Sequence, residues 1–530
     1  MVYGEGTRSA DIPDIDLESF VLARAKGLGD KPALIDGPSG RAVSYAELDY
    51  RVRSFAAGLA AHGFARGDTF CICLPNVPEY AVAFHGVLAA GGRCTTANPL
   101  YTPHELARQL VETDARMLLT TPTFVDVARE AAAQVRCDLC VLGEAQGAIS
   151  FSTLLGDPDA APAVAIDPAT DIAVILYSGG TTGLPKGVLL SHRNVISTMV
   201  LAQAVLGVTS EDVLLAALPF FHVYGLVVIL NFGLLAGATV VAMPRFEFRE
   251  FVDLLERYRV TRGYVVPPIA LALARHPAVE GRDLSALRHM LSGAAPLAAE
   301  VAEACERRIG CPVTEGFGMT EMSAVTHLVP PFGDTRKPGS IGPAIPGVQC
   351  RLVNPHTGQD VPPGEPGELW MRSPKVMQGY LNNPQATAMM IDQDGWLHSG
   401  DIAVVDEDGW FTIVGRIKEM IKYKGYQVAP AELEAILITH PQVGDCVVIG
   451  VADEEAGELP KAFVVPAIAE LDPGSLIQFV AEQVAPYKRI RAIEIIDEIP
   501  KSPSGRILRR VLEEHERVGG TPGHVRLIGT

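Results

Sequence analysis

The stretch DIAVILYSGGTTGLPKG, from Asp171 to Gly187, decides the fold of this chain. Its first half contains the short apolar run IAVIL, which is typical of a strand buried inside a parallel sheet. A glycine-rich loop follows this strand directly. The segment therefore predicts an α/β fold in which a polar loop follows a buried strand.

The loop has the composition of a phosphate-holding loop. Its relevant residues are Gly179, Gly180, Thr181, Thr182, Gly183 and Lys186. The glycines let backbone N–H groups approach a bound anion closely, the threonines add hydroxyl donors, and the lysine adds a mobile positive charge. The spacing does not fit the G-x-x-x-x-G-K-[ST] loop, so this phosphate loop is of a different kind.

Helical and strand patterns alternate on both sides of this segment. Ser44 with Glu47, and Thr102 with Glu105, form capping boxes ahead of helical patterns. Short apolar strands such as DTFCICLP, RMLLTT, ATVVAMP and HMLSGAA lie between the helices. Strands separated by helices of this length predict parallel sheets built from βαβ units.

The pattern changes after Asp401. The segment AVVDEDGWFTIVGR is typical of a hairpin with an Asp-Gly turn, and the helices and strands that follow predict a compact α+β unit of roughly 110 residues. We therefore divide the chain into a large N-terminal domain (1–414), a hinge (415–418) and a small mobile C-terminal domain (419–530).

Composition narrows the class of protein. The chain has 530 residues and a net charge of -18, which argues against a nucleic-acid partner because phosphate binding needs a positive field. The uncharged segment 223–243 is interrupted by glycines and an asparagine, so we expect a buried helix, a turn and a strand and no membrane insertion. The start of the chain lacks a secretory pattern and the nine cysteines suit a reducing compartment, so we expect a cytoplasmic protein.

Six further motifs carry a family resemblance. They are FFHVYG (220–225), SGAAPL (292–297), GFGMTE (316–321), SGD (399–401), GRIKEMIKYKGYQVAPAELE (415–434) and IPKSPSGRILRR (499–510). With these motifs in this order, the chain resembles the adenylate-forming enzymes, which include acyl-CoA synthetases, luciferases and peptide-synthetase adenylation domains. It is most similar to the 4-coumarate:CoA ligase-like branch. The resemblance implies an acyl-CoA ligase that works through an acyl-AMP and uses ATP, Mg²⁺ and CoA.

The resemblance also implies a nucleotide site. Its residues would be Ser178, Gly179, Gly180, Thr181, Thr182, Gly183, Lys186, Gly293, Ala294, Ala295, Pro296, Glu315, Gly316, Phe317, Gly318, Thr320, Asp401 and Arg416. Asp401 would accept hydrogen bonds from both ribose hydroxyls. Glu321 would hold Mg²⁺, because a carboxylate among phosphates requires a cation between them.

The family's acid pocket maps onto His222, Tyr224, Val228, Gly293, Gly316, Ala324 and Val325. Most of these residues are small or apolar, so the pocket is expected to accept a neutral hydrophobic carboxylic acid. The resemblance makes His222 a gate beside the carboxylate. The aspartate with which amino-acid-activating relatives bind the substrate amine is missing, which argues against an amino acid.

The second step implied by the family uses the C-terminal domain. That domain would swing about Lys418 and bring the KYKG loop to the active site. Gly425 would let pantetheine pass close to the backbone, while Lys422 and Gln427 would approach the nucleotide and the acyl group.

One departure affects the first step. The family supplies a lysine between the carboxylate and the α-phosphate, where negative charge builds up, and this chain has Arg506 there. Guanidinium is broad and planar where ammonium is slim, so it fits a narrow tunnel poorly. Our hypothesis is that the chain adenylates poorly or not at all and converts an acyl-AMP made by a separate adenylating enzyme into acyl-CoA. Gly179 stands where relatives usually have serine, which weakly favours the same hypothesis. Glu315 stands where glutamine is common in the family, and we draw no conclusion from this difference.

Three alternatives stay open at the level of sequence. The first is a complete two-step ligase that tolerates Arg506. The second is a free-standing adenylation enzyme that loads a carrier protein. The third is a non-catalytic acyl-AMP-binding protein, against which the intact KYKG loop, Asp401 and Glu321 argue.

Overall fold

The computed structural model describes residues 1–4, 12–178, 185–332, 336–424, 426–453, 456–468, 471–502 and 507–517, with Gln427 described for its backbone only. These residues form four sheets, two of them large. All later statements refer to these residues.

The first sheet contains the strand that precedes the phosphate loop. In spatial order its strands are Gly379–Tyr380, Lys186–Ser191, Ile172–Ser178, Arg93–Thr96, Thr69–Ile72, Ala115–Thr120, Asp138–Val141 and Ile149–Ser150. Neighbours from Ile172–Ser178 onward are parallel, whereas the first two strands pair antiparallel. Residues Ala173 to Leu176 are buried, as the apolar run predicts.

The second sheet has the same design. Its strands are Ala324–Leu328, Val313–Met319, His289–Ser292, Arg262–Val265, Val213–Ala216, Thr239–Ala242, Pro32–Asp36 and Ala42–Ser44. The six inner strands are parallel and both edge strands are antiparallel. One apolar cluster contains buried residues of both large sheets, for example Val174 and Leu291, so the two sheets share a core.

Helices connect and cover these strands. The longer ones are Leu17–Leu22, Tyr45–Ala61, Glu79–Ala89, Pro103–Glu112, Val125–Ala132, His192–Leu206, Phe248–Arg257, Pro267–Arg275, Ala299–Ile309 and Pro384–Met390. Ser44 and Thr102 cap their helices through the backbone N–H groups of Glu47 and Glu105, and at Thr102 the capping box is complete. The alternation of these helices with parallel strands confirms the α/β prediction.

The segment 223–243 folds as a π-helix (Tyr224–Asn231), a short α-helix (Phe232–Ala236), a turn at Gly237 and the strand Thr239–Ala242. The prediction of a buried helix, turn and strand is therefore confirmed, although the π-geometry has no signal in the sequence. No helix in the described part of the chain is long and apolar enough to span a bilayer.

The third sheet is antiparallel, with strands Gln349–Val353, Gly367–Arg372, Leu397–Val405 and Phe411–Arg416. The last two strands form the predicted hairpin with Asp408 and Gly409 in its turn.

The fourth sheet belongs to the C-terminal region and contains Tyr426–Val428, Ile421–Tyr423, Gly457–Pro466, Val443–Asp453 and Ala492–Ile495. Helices Pro430–Leu437 and Pro473–Ala481 pack on its apolar cluster, and Arg509–Arg517 follows. The guanidinium of Arg275 donates to the carbonyls of Ile438 (3.0 Å) and Val443 (3.2 Å), which joins this region to the second sheet's helices. The domain boundaries and the hinge stay predictions.

A buried ion pair supports the second sheet and generates a stability test. Arg262 Nε lies 3.0 Å from Asp212 Oδ2, and their side chains are 5% and 1% exposed. We expect Arg262→Met to lower the free energy of unfolding by about 3–5 kcal/mol, because Asp212 would keep a buried charge without its partner. Urea denaturation measures the change.

The matched control is Arg282→Met, which breaks half-exposed pairs with Asp253 and Glu256. Pairs of this kind contribute about 0–1 kcal/mol. Equal losses in the two variants would contradict the importance of the buried pair.

Candidate active site

A cavity of about 1080 Å³ lies where the two large sheets and the C-terminal region meet. It brings together sixteen of the predicted site residues: Ser178, Lys186, His222, Tyr224, Val228, Gly293, Ala294, Gly316, Phe317, Gly318, Thr320, Glu321, Ala324, Val325, Arg416 and Lys418. Residues as far apart in sequence as Ser178 and Lys418 therefore contribute to one site.

The predicted metal-binding carboxylate is anchored by two hydroxyl groups. Glu321 Oε1 accepts from Ser178 Oγ (2.9 Å) and from Tyr380 OH (2.8 Å). Lys186 Nζ lies 4.7 Å from the centre of the Tyr380 ring, so a cation borders the same corner. Because both described bonds fall on Oε1, Oε2 is the oxygen available to a cation. A hard carboxylate oxygen beside the Thr320 hydroxyl fits Mg²⁺, which would neutralise phosphate charge there.

The predicted ribose-binding residues face each other across two strands of the third sheet. Asp401 and Arg416 are cross-strand partners, and Arg416 Nε lies 2.9 Å from Asp401 Oδ1. Glu368 Oε1 accepts from Gly400 N (3.0 Å), and Ser399 Oγ accepts from Asp401 N (3.0 Å). These bonds fix the part of the strand Leu397–Val405 that carries the carboxylate. Asp401 is 3% exposed and lies just behind the cavity lining.

Another part of the predicted nucleotide site, residues 293–296 and 315–317, lies at the ends of two parallel strands. Ser292 and Glu315 are register partners, and Glu315 Oε1 accepts from Leu297 N at 3.2 Å. This bond ties the 293–297 loop to the neighbouring strand. Ala294 has a φ of 69°, in the left-handed region that non-glycine residues seldom adopt. Burial raises the pKa of Glu315 to about 8, so its carboxyl group is protonated at neutral pH.

The predicted acid pocket is built on the π-helix. Tyr224 and Val228 both line the cavity from this helix. Tyr224 OH donates to Leu291 O (3.0 Å), and its ring lies against Gly293, where an added Cβ would come within 3.1 Å of the ring. Gly293 therefore leaves room for the ring that walls the pocket.

The C-terminal region meets the cavity through its tail, and the described residues of KYKG, 422–424, do not line it. Lys418, Ser502 and Ile507 line the cavity, together with residues 508–511, 513 and 514. Lys422 is exposed and lies outside the lining, with its backbone N–H bonded to Glu458 Oε2 at 2.7 Å. The movement that would bring it to the site stays a prediction.

The remaining predicted site residues either lie outside the described part of the chain or do not line the cavity. Gly179, Gly180, Thr181, Thr182, Gly183, Gly425 and Arg506 lie outside the described residues, as does the side chain of Gln427. Ala295, Pro296, Glu315 and Asp401 adjoin the site without lining the cavity. Tyr380, Glu368 and His398 are site residues that sequence reasoning missed. A tyrosine in the motif-free segment MQGYLNN carries no signal of its own.

The raised pKa of Glu315 generates a pH-dependent prediction. The unfolded chain releases this proton near its ordinary pKa of 4.5 whereas the folded chain keeps it to about pH 8, so ionisation of the unfolded state lowers stability as pH rises between these values. We expect Glu315→Gln to gain stability relative to wild type between pH 5 and 8, and the difference to level off above pH 8. Thermal unfolding across this range measures it.

The control for this series is Glu306→Gln. Its hydrogen bond with Arg336 helps to lower the pKa of Glu306, so this group stabilises the folded state above its ordinary pKa. The control should be less stable than wild type at every pH above 5. Two variants with the same trend would contradict the assignment for Glu315.

Two family models match this chain, and named relatives match nearly all of it. Residues 21–381 match the family described as AMP-binding enzyme, and residues 432–506 match the AMP-binding enzyme C-terminal domain. A relative named 4-coumarate--CoA ligase 5, from Oryza sativa subsp. japonica, is 42% identical over 515 residues, which cover 94% of this chain and 95% of the relative. A second, 4-coumarate--CoA ligase 1 of Petroselinum crispum, is 40% identical over 530 residues, covering 96% and 97%.

Two solved structures share the fold. The ATP-bound MatB from Rhodopseudomonas palustris has a TM-score of 0.86 at 31% identity, with 95% of this chain and 100% of that chain covered. The anthranilate CoA ligase AuaEII in complex with anthranoyl-AMP has a TM-score of 0.90 at 28% identity, with 97% and 99% covered. This chain belongs to the AMP-binding enzyme family and is an AMP-forming type of acid–thiol ligase.

Proposed function

We propose that this ligase performs mainly the second half-reaction, in which an acyl-AMP supplied by another enzyme is converted to acyl-CoA. The observation that carries the proposal is Arg506, which stands where the family's adenylation lysine is expected. The general activity, acyl-CoA formation through an acyl-AMP, does not depend on this residue.

The two half-reactions make different electrostatic demands. Adenylation brings a carboxylate against an α-phosphate, and two anions approach each other only with a cation placed between them. In thioesterification the CoA sulfur attacks the acyl carbonyl carbon, a C–S bond forms, the C–O bond to AMP breaks, and the thiol proton is released. The acyl carbon of acyl-AMP is already activated, so thioesterification does not need the cation that adenylation needs.

Two basic residues close to Arg506 in sequence, Lys501 and Arg509, are paired with carboxylates, which supports the proposal. The ammonium of Lys501 pairs with Asp445. Arg509 donates to Glu419 Oε2 (3.0 Å) and Glu434 Oε2 (3.0 Å), and these carboxylates help to raise its pKa. Among the described residues from 501 to 517, none of those lining the cavity is a lysine. A misplaced guanidinium at this point costs about 10²-fold in rate.

The second candidate is a complete two-step enzyme, and a specific observation favours it. Ser502 and Ile507, which flank residues 503–506 in sequence, both line the cavity, and Lys501 and Ile507 form a β-bridge. Both residues that flank the segment with Arg506 therefore lie at the site, and arginine keeps the positive charge of the family's lysine.

The acid is proposed to be a hydrophobic, aromatic carboxylic acid. The relatives are named as 4-coumarate--CoA ligases, and AuaEII holds anthranoyl-AMP. The acid end of this cavity is bordered by the Tyr224 ring and by Val228, Leu291, Ala324, Val325 and Leu328. Flat apolar rings suit such a pocket, because aromatic side chains bury large apolar area against them.

The test is a paired assay with one panel of acids: 4-coumarate, cinnamate, benzoate, anthranilate and octanoate. One arm contains acid, ATP, Mg²⁺ and CoA, and the other contains the chemically made acyl-AMP and CoA. We expect thioester from acyl-AMP to form at least about 100-fold faster than from acid and ATP. We also expect Arg506→Lys to accelerate only the first arm.

Arg510→Lys is the matched control, because Arg510 lines the same cavity from the same tail. Efficient thioester formation from acid and ATP by the wild type would favour the two-step enzyme. Absence of thioester in both arms would contradict both candidates.

A further inference from the structure

Lys375 is a buried lysine behind the acid pocket. It lies between strands Gly367–Arg372 and Gly379–Tyr380, and 0% of its surface is exposed. Its ammonium nitrogen donates to the carbonyl oxygen of Val325, and Val325 lines the cavity. No motif points to this residue, and the reaction as described above does not use it.

The segment around Lys375 is bonded to the pocket wall at three successive points. Met377 N donates to Glu321 O (2.9 Å), Ser323 Oγ donates to Lys375 O (2.8 Å), and the Lys375 ammonium bonds to Val325. Two of these bonds involve Lys375 itself. They fall on the residues immediately before and after Ala324.

Ala324 needs such support because its backbone is strained. Ser323 and Ala324 have φ values of 51° and 98°, and residues with a Cβ adopt such values only where the surroundings impose them. Ala324 also lines the acid pocket. The position of this wall therefore depends on the contacts behind it.

The surroundings of Lys375 argue against a role as a simple stabilising ion pair. The ionisable groups that act on it are the thiol of Cys350 and the imidazole of His327, and no described carboxylate pairs with it. Burial lowers the pKa of Lys375 to about 7, while burial of His327 lowers its pKa to about 3 and keeps the ring neutral. A buried lysine without a counter-ion lowers stability. Its presence behind the pocket therefore points to a role in positioning the pocket wall.

We propose that Lys375 is a positioning residue for the acid pocket, which holds the strained Ala324–Val325 wall where the acyl group binds. The substrate class it serves is the hydrophobic acyl group of the proposed function, on which the inference rests. It applies to either half-reaction, because the acid and the acyl-AMP place their acyl group in the same pocket.

The test compares wild type with Lys375→Met, which keeps the length and removes the donor, and with Lys375→Gln, which keeps a shorter donor. The probes are AMP and an acyl sulfamoyl adenosine that carries the acid best used by the wild type. Calorimetry measures both dissociation constants. We expect Lys375→Met to bind the acyl probe about tenfold more weakly, the effect of one lost hydrogen bond, and to bind AMP as the wild type does. Lys375→Gln should recover part of the loss.

Lys461→Met is the matched control, because Lys461 is 8% exposed and pairs with Glu494 and Glu516 in the C-terminal sheet, away from the acid pocket. It should lose stability and keep both affinities. Unchanged binding of the acyl probe by Lys375→Met and Lys375→Gln would overturn the proposal, as would an equal loss for AMP. Thioester formation by the wild-type preparation tests the proposed function separately. If Lys375→Met does not fold, Lys375→Gln carries the comparison.

A second readout follows from the burial of the amine. The unfolded chain keeps this proton to its ordinary pKa of 10.5 and the folded chain loses it near pH 7, so wild type should gain stability from this group as pH rises above 7. Lys375→Met should lack that gain when unfolding is measured from pH 7 to 9. Parallel curves would contradict the burial of a titrating amine behind the pocket.

Discussion

The carboxylate of Glu321 is the contact on which the site depends. It lies at the turn between the last two strands of the second sheet, and it accepts hydrogen bonds from Ser178 and Tyr380 of the first sheet. A carboxylate shared between two sheets ties their facing ends together where the strand Ile172–Ser178 ends. Most of the residues predicted to bind the nucleotide and the acid line the cavity that contains this corner.

Much of the fold follows from local patterns. The apolar run at Ile172, the helix caps at Ser44 and Thr102, and the Asp-Gly hairpin are each determined by neighbours in sequence, and the structure contains them, although only Thr102 forms the full capping box predicted for both. The placement of motif residues around one cavity also agrees with the family resemblance. Motif residues lie at strand ends, and strand ends of two parallel sheets converge.

The contacts that sequence reasoning missed are long-range and come from segments without periodicity. Tyr380 reaches Glu321 across 59 positions, and Lys375 reaches Val325 across 50. A tyrosine or a lysine so far away in sequence does not indicate its partner. The order of the strands in the sheets, and not their order in sequence, brings the two residues together. Sequence reasoning also missed the cavity-lining residues 508–511, 513 and 514, because their position depends on how the tail packs against the rest of the chain.

The π-helix at Tyr224–Asn231 has a consequence for how the pocket can vary. Its wide turn carries Tyr224 and Val228 to the cavity, and π-turns are rare and concentrated at functional sites. Loss of one residue would return this turn to α-geometry and change which of its side chains face the cavity. In this protein the shape of the predicted acid pocket therefore depends on the number of residues in one helix as well as on their side chains, so insertions and deletions there are a route to a new substrate that point substitutions do not offer.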